Sequence, residues 1–329
     1  MSYGRIGTPK FYIDAILLAR QWGMIHTENS KGLFNLNPSK IANFSFNTDG
    51  NGITIFCSVR LTNRYFLNSI SHVFYLGHTF FNSGVEVRLK IQGATNDYQI
   101  TNDVLFGTDG WAKQDSSTGT FSTHPDVTDV IYLVSVFMKQ SDGFDHPNAQ
   151  DTFTIGDISA GWSWSPPHSP DLELTQTISN ESLKIQNTLG GHTLSNAGWN
   201  YQPKWGRRPA WSKGTIQDTS SILDSFDVFP SGRRSWNLKF SYVSDEKLFP
   251  PSSHDGYGIF SSTSAGTSVK DNFVSKLVHG TNNFQLPFIF QPNQEKEEYA
   301  ICRINSDSVS FNQVANNVYD ISLDIVETW

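Results

Sequence analysis

Apolar and polar positions alternate along most of the chain. "ITIFCSV" (53–59) places four apolar side chains on one face, and "VEVRLKI" (85–91) sets four apolar positions opposite three charged ones. "VIYLVSVFM" (130–138) is almost wholly apolar, as expected of a strand in the middle of a sheet. A period of two is typical of antiparallel strands with one solvated face. Short strands separated by turn residues at this density predict a sandwich or jelly roll.

The same alternation returns in the last third of the chain, in "WNLKFSYV" (236–243) and "VYDISLDIVETW" (318–329). In the second stretch the apolar positions share one face with Trp329, so we expect Trp329 to pack in a core. Between the two groups of strands, "SWSPPHSPD" (163–171) has three prolines in nine residues, which stiffen a linker and end strand pairing. The pattern therefore predicts a mainly β chain with two antiparallel β-domains.

Two stretches have helical features. "PKFYIDAILLARQWGM" (9–24) predicts a helix with Pro9 in its first turn and Gly23 at its end. The alternative there is a strand over "KFYIDAILL" (10–18). "VKDNFVSKLVHG" (269–280) predicts a second helix, with Phe273 and Leu277 inward and Gly280 as the C-cap.

The positions of these elements predict three parts. Residues 1–37 contain no complete β-domain, so we expect them to pack with the C-terminal domain. Residues 38–165 form an inserted sandwich, and residues 166–329 form the second β-domain.

Composition narrows the function classes. A formal net charge of −7 over 329 residues argues against binding to nucleic-acid phosphates, which needs a clustered positive surface. No apolar run is long enough to span a membrane, and the first residues lack the pattern of a signal peptide. The presence of only two cysteines argues against a disulfide framework, and the chain is expected to assemble in a reducing cytoplasm. Nothing in the sequence implies a cofactor.

Motifs for common chemistry do not occur. The sequence has no nucleophile elbow, zinc-protease or phosphate-loop motif, and its nine histidines are scattered without ligand spacing. "NTDGNG" (47–52) lacks the closing glutamate of a calcium loop and reads as a hairpin turn. "SDGFDHPNAQD" (141–151) reads as a polar loop. The acidic residues fall mostly in turns or on wet strand faces, so we expect no catalytic site and no metal site.

Aromatic residues give the strongest indication of binding. "WNYQPKWGRRPAWSKG" (199–214) interleaves tryptophans with cations. Such a stretch suits contact with an acidic protein surface, a glycan or single-stranded nucleic acid, with packing on its own domain as the alternative. The predicted interface residues in this loop are Trp199, Tyr201, Trp205, Arg207, Arg208 and Trp211. In the first domain Trp111, Trp162 and Trp164 are candidates for stacking on a glycan, with core packing as the alternative.

The hairpin within "NFQLPFIFQPNQEKEEYAICRI" (283–304) is a second candidate interface. Its first strand is predicted over 284–290. Pro287 cannot donate to a strand ladder, so that strand is expected to be an edge or to carry a bulge. Pro287, Phe288 and Phe290 are therefore predicted to face a neighbouring subunit, with the polar turn toward the partner or water.

The C-terminal residues resemble a known family. "GRRSWNLKFSYVSDEKLFP" (232–250), "LPFIFQPN" (286–293), "YAICRI" (299–304) and "FNQVANNVYDISLDIVETW" (311–329) are similar to the C-terminal region of tail structural proteins of marine tailed bacteriophages. "NTLGGHTLSNAGWNYQPKWGRR" (187–208) fits the region before that core. The resemblance covers about half the chain, and hydrophobic patterns with some fixed residues carry it.

The resemblance implies a distal-tail or baseplate-hub type of protein with a β-barrel or sandwich. The inserted domain would be galectin-like or like a carbohydrate-binding module, although such proteins usually carry it after the barrel. The expected function is a non-enzymatic part of the virion tail, assembled in the host cytoplasm as a homo-oligomeric ring. It would join the tail tube to host-recognition parts through neighbouring tail proteins. The alternative is a β-sandwich adhesin that binds host glycans.

Overall fold

The computed structural model describes most of the two ends of the chain and parts of its middle. The described residues are 6–29, 32–37, 42–45, 54–61, 70–78, 85–92, 97–100, 105–106, 111–115, 131–139, 152–172, 174–179, 185–195, 233–250, 260–263, 266–296 and 298–328. The described part of the chain is mainly β, with short helices.

The strands and helices follow in chain order. Strands β1–β12 are Lys10–Asp14, Ile25–Asn29, Ala42–Ser45, Thr54–Leu61, His72–Leu76, Val85–Gln92, Asp97–Ile100, Leu105–Phe106, Trp111–Asp115, Ile131–Lys139, Thr152–Ile155 and Asp157–Trp164. Strands β13–β22 are Thr175–Ser179, Ile185–Asn187, Thr193–Ser195, Arg233–Ser244, Phe260–Thr263, Gly266–Val269, Phe288–Gln291, Ala300–Ile304, Phe311–Ala315 and Val318–Glu327. Helices α1 and α2 are Ala15–Gln21 and Asp245–Leu248, and a π-helix is Val274–Val278.

Antiparallel pairing organises these strands into one large and several small sheets. The large sheet has eleven strands in the order β13-β16-β22-β20-β19-β1-β12-β5-β9-β8, with β21 also paired to β22. A second sheet has the order β2-β4-β10-β6-β7, with β10 in the middle as its apolar sequence predicts. The remaining pairs are β3 with β11, β14 with β15, and β17 with β18. The mainly β, antiparallel prediction is confirmed, and the described strands close no barrel.

Strand β1 lies in the interior of the large sheet. It pairs with β12 on one side, Phe11 opposite Trp164, and with β19 on the other, Phe11 opposite Phe290. Phe11, Tyr12 and Ile13 are all buried, because both faces of the sheet are covered here. The helix predicted from residue 9 is therefore wrong for its first part, where the strand alternative holds.

Helix α1 begins directly after β1. The Asp14 side chain accepts a hydrogen bond from the Leu17 amide at 2.8 Å, as an N-cap does. Gly23 has a φ of +68°, and the Met24 amide donates to the Ala19 carbonyl, so Gly23 ends the helix as predicted.

The second predicted helix is shorter than expected. The stretch 269–280 contains the end of β18 and the π-helix, with Phe273 and Leu277 buried as predicted. Gly280 is not a left-handed C-cap. A Cβ at this position would overlap the Lys276 carbonyl oxygen and lie 3.0 Å from Ile13 Cγ2, so the glycine permits close packing against β1.

The predicted strand over 284–290 begins only at Phe288. Asn282, Asn283 and Phe284 all have positive φ, which is incompatible with a strand and which asparagine tolerates better than most residues. Pro287 lies directly before β19, so its missing backbone N–H removes no hydrogen bond from the strand ladder. The prediction of an edge strand is wrong, because β19 pairs with both β1 and β20.

The two faces of the large sheet differ. One face forms most of the principal core, with Trp162, Trp236 and Phe288 among its members. The other face carries a smaller cluster around Tyr12, Phe74 and Tyr299. At β16 and β22 this second face is exposed, with Asn237 and Lys239 open to solvent.

The large sheet combines strands from all three predicted parts of the chain. Strand β1 lies between β12, from the inserted part, and β19, from the C-terminal part. The proline segment 163–171 packs beside β16, since Asp171 Oδ2 accepts a hydrogen bond from Ser241 Oγ at 2.6 Å. The division at 37 and 165 stays a prediction, and Trp329 lies outside the described residues.

Candidate functional site

Residues 199–214, with Trp199, Tyr201, Trp205, Arg207, Arg208 and Trp211, lie outside the described residues, so their interface role stays a prediction. The turn at 47–52 and the loop at 141–151 also lie outside them.

Phe288 and Phe290 belong to the core of this chain. Both are fully buried, and each ring lies within 5.6 Å of the Phe11 ring. Phe290 also meets the Trp236 ring at 5.2 Å. Both side chains pack against residues of their own chain. This corrects the expectation that they face a neighbouring subunit from a sheet edge. Pro287, directly before β19, is buried as well.

Two of the three predicted glycan-binding tryptophans are also core residues. Trp162 and Trp164 are buried, and Trp162 Nε1 donates to the Lys276 carbonyl at 3.0 Å. The Trp164 ring contacts the Phe11 ring at 5.2 Å and the Phe273 ring at 5.1 Å. Neither ring is open to a sugar, so core packing describes both. Of Trp111, at the start of β9, only the backbone is described.

A pair of buried carboxyl groups lies on the second face of the large sheet. Asp14 ends β1, two residues after Tyr12, and Asp157 begins β12. Asp157 Oδ1 accepts hydrogen bonds from the Ile158 amide at 2.7 Å and the Asn35 amide at 3.3 Å. Among the described residues, the second oxygen of each carboxyl has no hydrogen-bond donor that meets ordinary geometry.

Burial raises the proton affinity of both acids. Desolvation raises the pKa of Asp14 to about 6, against the lowering effect of the Leu17 amide, the Ser159 hydroxyl and Arg20. Desolvation also raises the pKa of Asp157 well above its usual range, and the negative charge of Asp14 raises it further. Two like charges in one buried site cannot both ionise easily, so the pair favours carrying a proton at neutral pH.

These two acids are exceptions to the pattern in which acidic residues fall mostly in turns or on solvated strand faces, because both are buried. On the same face, the Tyr12 ring meets the His72 ring at 5.0 Å and the Phe74 ring at 4.9 Å. Since both carboxyl groups are enclosed, the chemistry that the arrangement supports is proton uptake and release coupled to folding.

This proton affinity predicts a pH effect on stability. The folded protein binds the Asp14 proton more tightly than the unfolded chain, whose carboxyl has a pKa near 3.8. The free energy of unfolding therefore falls as pH rises from about 4 to 6, and Asp157 extends the fall to higher pH. We expect the free energy of unfolding of Asp157→Asn to match that of the wild type near pH 4 and to exceed it at pH 7, because the amide has no charge to bury.

Denaturant unfolding at pH 4, 5, 6 and 7 measures this difference. Asp307→Asn is the matched control, because Asp307 is exposed and its loss should leave the pH dependence unchanged. If the free energy of unfolding of Asp157→Asn changes with pH in parallel with that of the wild type across this range, the prediction is contradicted.

The hairpin of β14 and β15 is the second notable feature. Its strands pair with Gln186 opposite Leu194 and Asn187 opposite Thr193. The turn between them is well ordered: the Thr188 amide donates to the His192 carbonyl at 2.8 Å, and the Thr188 hydroxyl bonds the same residue. Gly191 supplies the left-handed conformation that this turn needs, with a φ of +79°.

This hairpin exposes nearly all of its side chains. Between Gln186 and Leu194 only Thr188 is even half-buried, Leu189 at the tip is fully exposed, and Leu194 is 57% exposed. An isolated two-stranded hairpin is marginally stable in water. This hairpin therefore presents the Leu189 and Leu194 side chains to solvent.

The edge of the large sheet at β13 is open in the described part of the chain. Strand β13 is the last strand on this side in the described part of the chain, and it pairs with β16 alone. Ile178 in this strand is 55% exposed, and Leu172 just before it is fully exposed. Open edges are ready templates for pairing with another chain.

None of the helices in the described residues has the length and apolar character needed to cross a membrane. No cluster of three or more histidine, cysteine or acidic side chains in this described part of the chain could hold a metal ion. No family model, curated protein or solved structure matches the chain.

Proposed function

We propose that the protein is a non-enzymatic structural component of a phage tail, part of a tail-tip or baseplate ring or adaptor that joins the tail tube to host-recognition parts. The observations that carry the proposal are the exposed hairpin arm, 185–195, and the open edge of β13. Residues 187–208, 232–250, 286–293, 299–304 and 311–329 support it through their resemblance to tail structural proteins.

Ring assembly accounts for this arrangement. In a ring, each subunit presents two different surfaces to its two neighbours. The arm and the β13 edge are two such surfaces, and both carry apolar side chains in water when the chain is alone. The glycan-binding adhesin has less support, since Trp162 and Trp164 are buried.

The test removes the apolar side chains of the arm. We expect Leu189→Ser with Leu194→Ser to weaken self-association at least tenfold, because each buried leucine is worth about 1.5–3 kcal/mol. Sedimentation over a concentration series measures the association. Incorporation into purified particles, detected with an antibody against this chain, should fall in parallel.

Val314→Ser is the matched control, because Val314 is 42% exposed on a different strand, β21. Both variants should melt at the wild-type temperature, since none of the three side chains is buried. A wild-type chain that stays monomeric at all concentrations and is absent from particles would refute the proposed function.

A further inference from the structure

A polar groove of about 370 Å³ lies on the outer face of β16 and β22. Its walls come from the exposed face of these strands and from the segment 304–312, which crosses beside them. The volume is within the range of about 300–1,000 Å³ that small-molecule sites occupy. All of its lining residues lie in the described part of the chain.

The wall of the groove is held in place without a ligand. The Asn305 amide donates to the Asp324 carbonyl at 2.8 Å, and Asn305 Nδ2 donates to Asp324 Oδ2 at 3.2 Å. Ser306 Oγ donates to the Ser308 carbonyl at 2.6 Å. A wall that is already ordered reduces the entropy lost when a ligand binds.

Several polar groups remain available in this groove. The side chains of Asn237, Ser310, Asn312 and Ser322 make no hydrogen bond to other described residues, so they can donate to and accept from a ligand. Asp320 Oδ1 accepts the Tyr242 amide at 3.1 Å, and Lys239 Nζ lies 3.9 Å from Asp320 Oδ2, beyond hydrogen-bond distance.

The groove also has a small apolar part at the half-buried Val309, whereas Ile304 and Leu323, which also line it, are buried in the core. Its charged groups are two carboxylates, Asp320 and Asp324, and one ammonium, Lys239, so it disfavours anionic ligands. Tyr242, whose amide is bonded to Asp320, is 77% exposed at a β-bulge and has a φ of +60°. Bulges of this kind often redirect a side chain at a binding site.

We propose that this groove binds a neutral saccharide unit. A pyranose ring has hydroxyl groups around its edge and C–H groups on its faces. The hydroxyl, amide and carboxylate groups of the groove match the ring edge, and the apolar part matches a ring face. The groove is separate from the hairpin arm, so this binding does not depend on the proposed assembly.

The test uses glucose, galactose, mannose and N-acetylglucosamine as probes with the purified full chain. Saturation-transfer NMR and titration calorimetry measure binding, and we expect at least one sugar to bind with a millimolar Kd. Ser322→Trp should abolish binding by filling the groove. Asp320→Asn should weaken it about tenfold, as expected when a charge-assisted hydrogen bond becomes a neutral one.

Asp307→Asn is the control, because Asp307 lies on the same segment but outside the lining of the groove. It should bind as the wild type does, and all three variants should keep the wild-type melting temperature. The proposal is overturned if none of the four sugars binds, if Ser322→Trp binds them unchanged, or if calcium alone binds this groove. Loss of self-association in the arm variant leaves this result unaffected, so the two proposals fail separately.

Discussion

Replacing Glu327 with alanine is expected to lower the free energy of unfolding by about 3 kcal/mol. Glu327 is buried at the end of β22 and receives three hydrogen bonds from Arg234: the Arg234 amide at 3.0 Å, Nε at 3.1 Å and one terminal nitrogen at 3.0 Å. Burial alone would lower the pKa of the Arg234 guanidinium. The Glu327 carboxylate outweighs this effect and raises that pKa above its usual value. Alanine leaves the guanidinium without its partner, and breaking a buried pair costs about 3–5 kcal/mol.

We expect the lower end of that range because the Arg234 side chain is 30% exposed and can regain some water. Denaturant unfolding at pH 7 measures the loss. Glu28→Ala is the matched control: Glu28 pairs with Arg20 at 2.8 Å, but Arg20 is 40% exposed, so the cost should stay below about 1 kcal/mol. Equal losses in the two variants would contradict the role assigned to burial.

Trp162→Ala is expected to cost about 3–5 kcal/mol, as truncation of a fully buried aromatic residue does. Trp162 is among the largest fully buried side chains, it lies opposite Ile13 of β1, and its indole bonds the Lys276 carbonyl. The substitution therefore leaves a cavity between the sheet and the π-helix, and an unpaired carbonyl beside it. Thermal and denaturant unfolding measure the effect.

Trp22→Ala serves as the comparison, because Trp22 is 39% exposed and its loss should cost much less. The same pair of variants separates a core role for Trp162 from a sugar-stacking role. A Trp162→Ala protein with wild-type stability and lost sugar binding would overturn the packing described here.

Alternation located the strands well because a period of two follows directly from strand geometry. Strands β4, β6, β10, β16 and β22 lie where the pattern predicts them. The opening segment was harder to predict from the sequence, because β1 is covered on both faces and has a continuous apolar run instead of an alternating pattern. Such a run fits a helix or an interior strand equally well, and only pairing with β12 and β19 decides between them.

The candidate site was less accessible to sequence reasoning. Asp14 has the position of an N-cap before "AILLARQ", a recognisable signal, but nothing near Asp157 in "TIGDISAG" marks it as buried. Their juxtaposition depends on strand pairing across more than 140 residues. Pro287 led to the wrong prediction of an edge strand for a related reason. In the sequence, a proline just before a strand looks the same as a proline within an edge strand.

The central place of β1 has a consequence for synthesis on the ribosome. Tyr12 Oη donates to Gln291 Oε1 across 279 residues of sequence. Strand β1 therefore cannot pair with β19, its second partner, until those residues have been translated. At about 5–20 residues per second this takes roughly 15–55 seconds. During that time the nascent chain can pair β1 with β12 but leaves the other side of β1 open. When several ribosomes translate one messenger RNA, neighbouring nascent chains that expose this open side would therefore favour misassembly at β1. A chaperone that covers β1 would favour the native sheet.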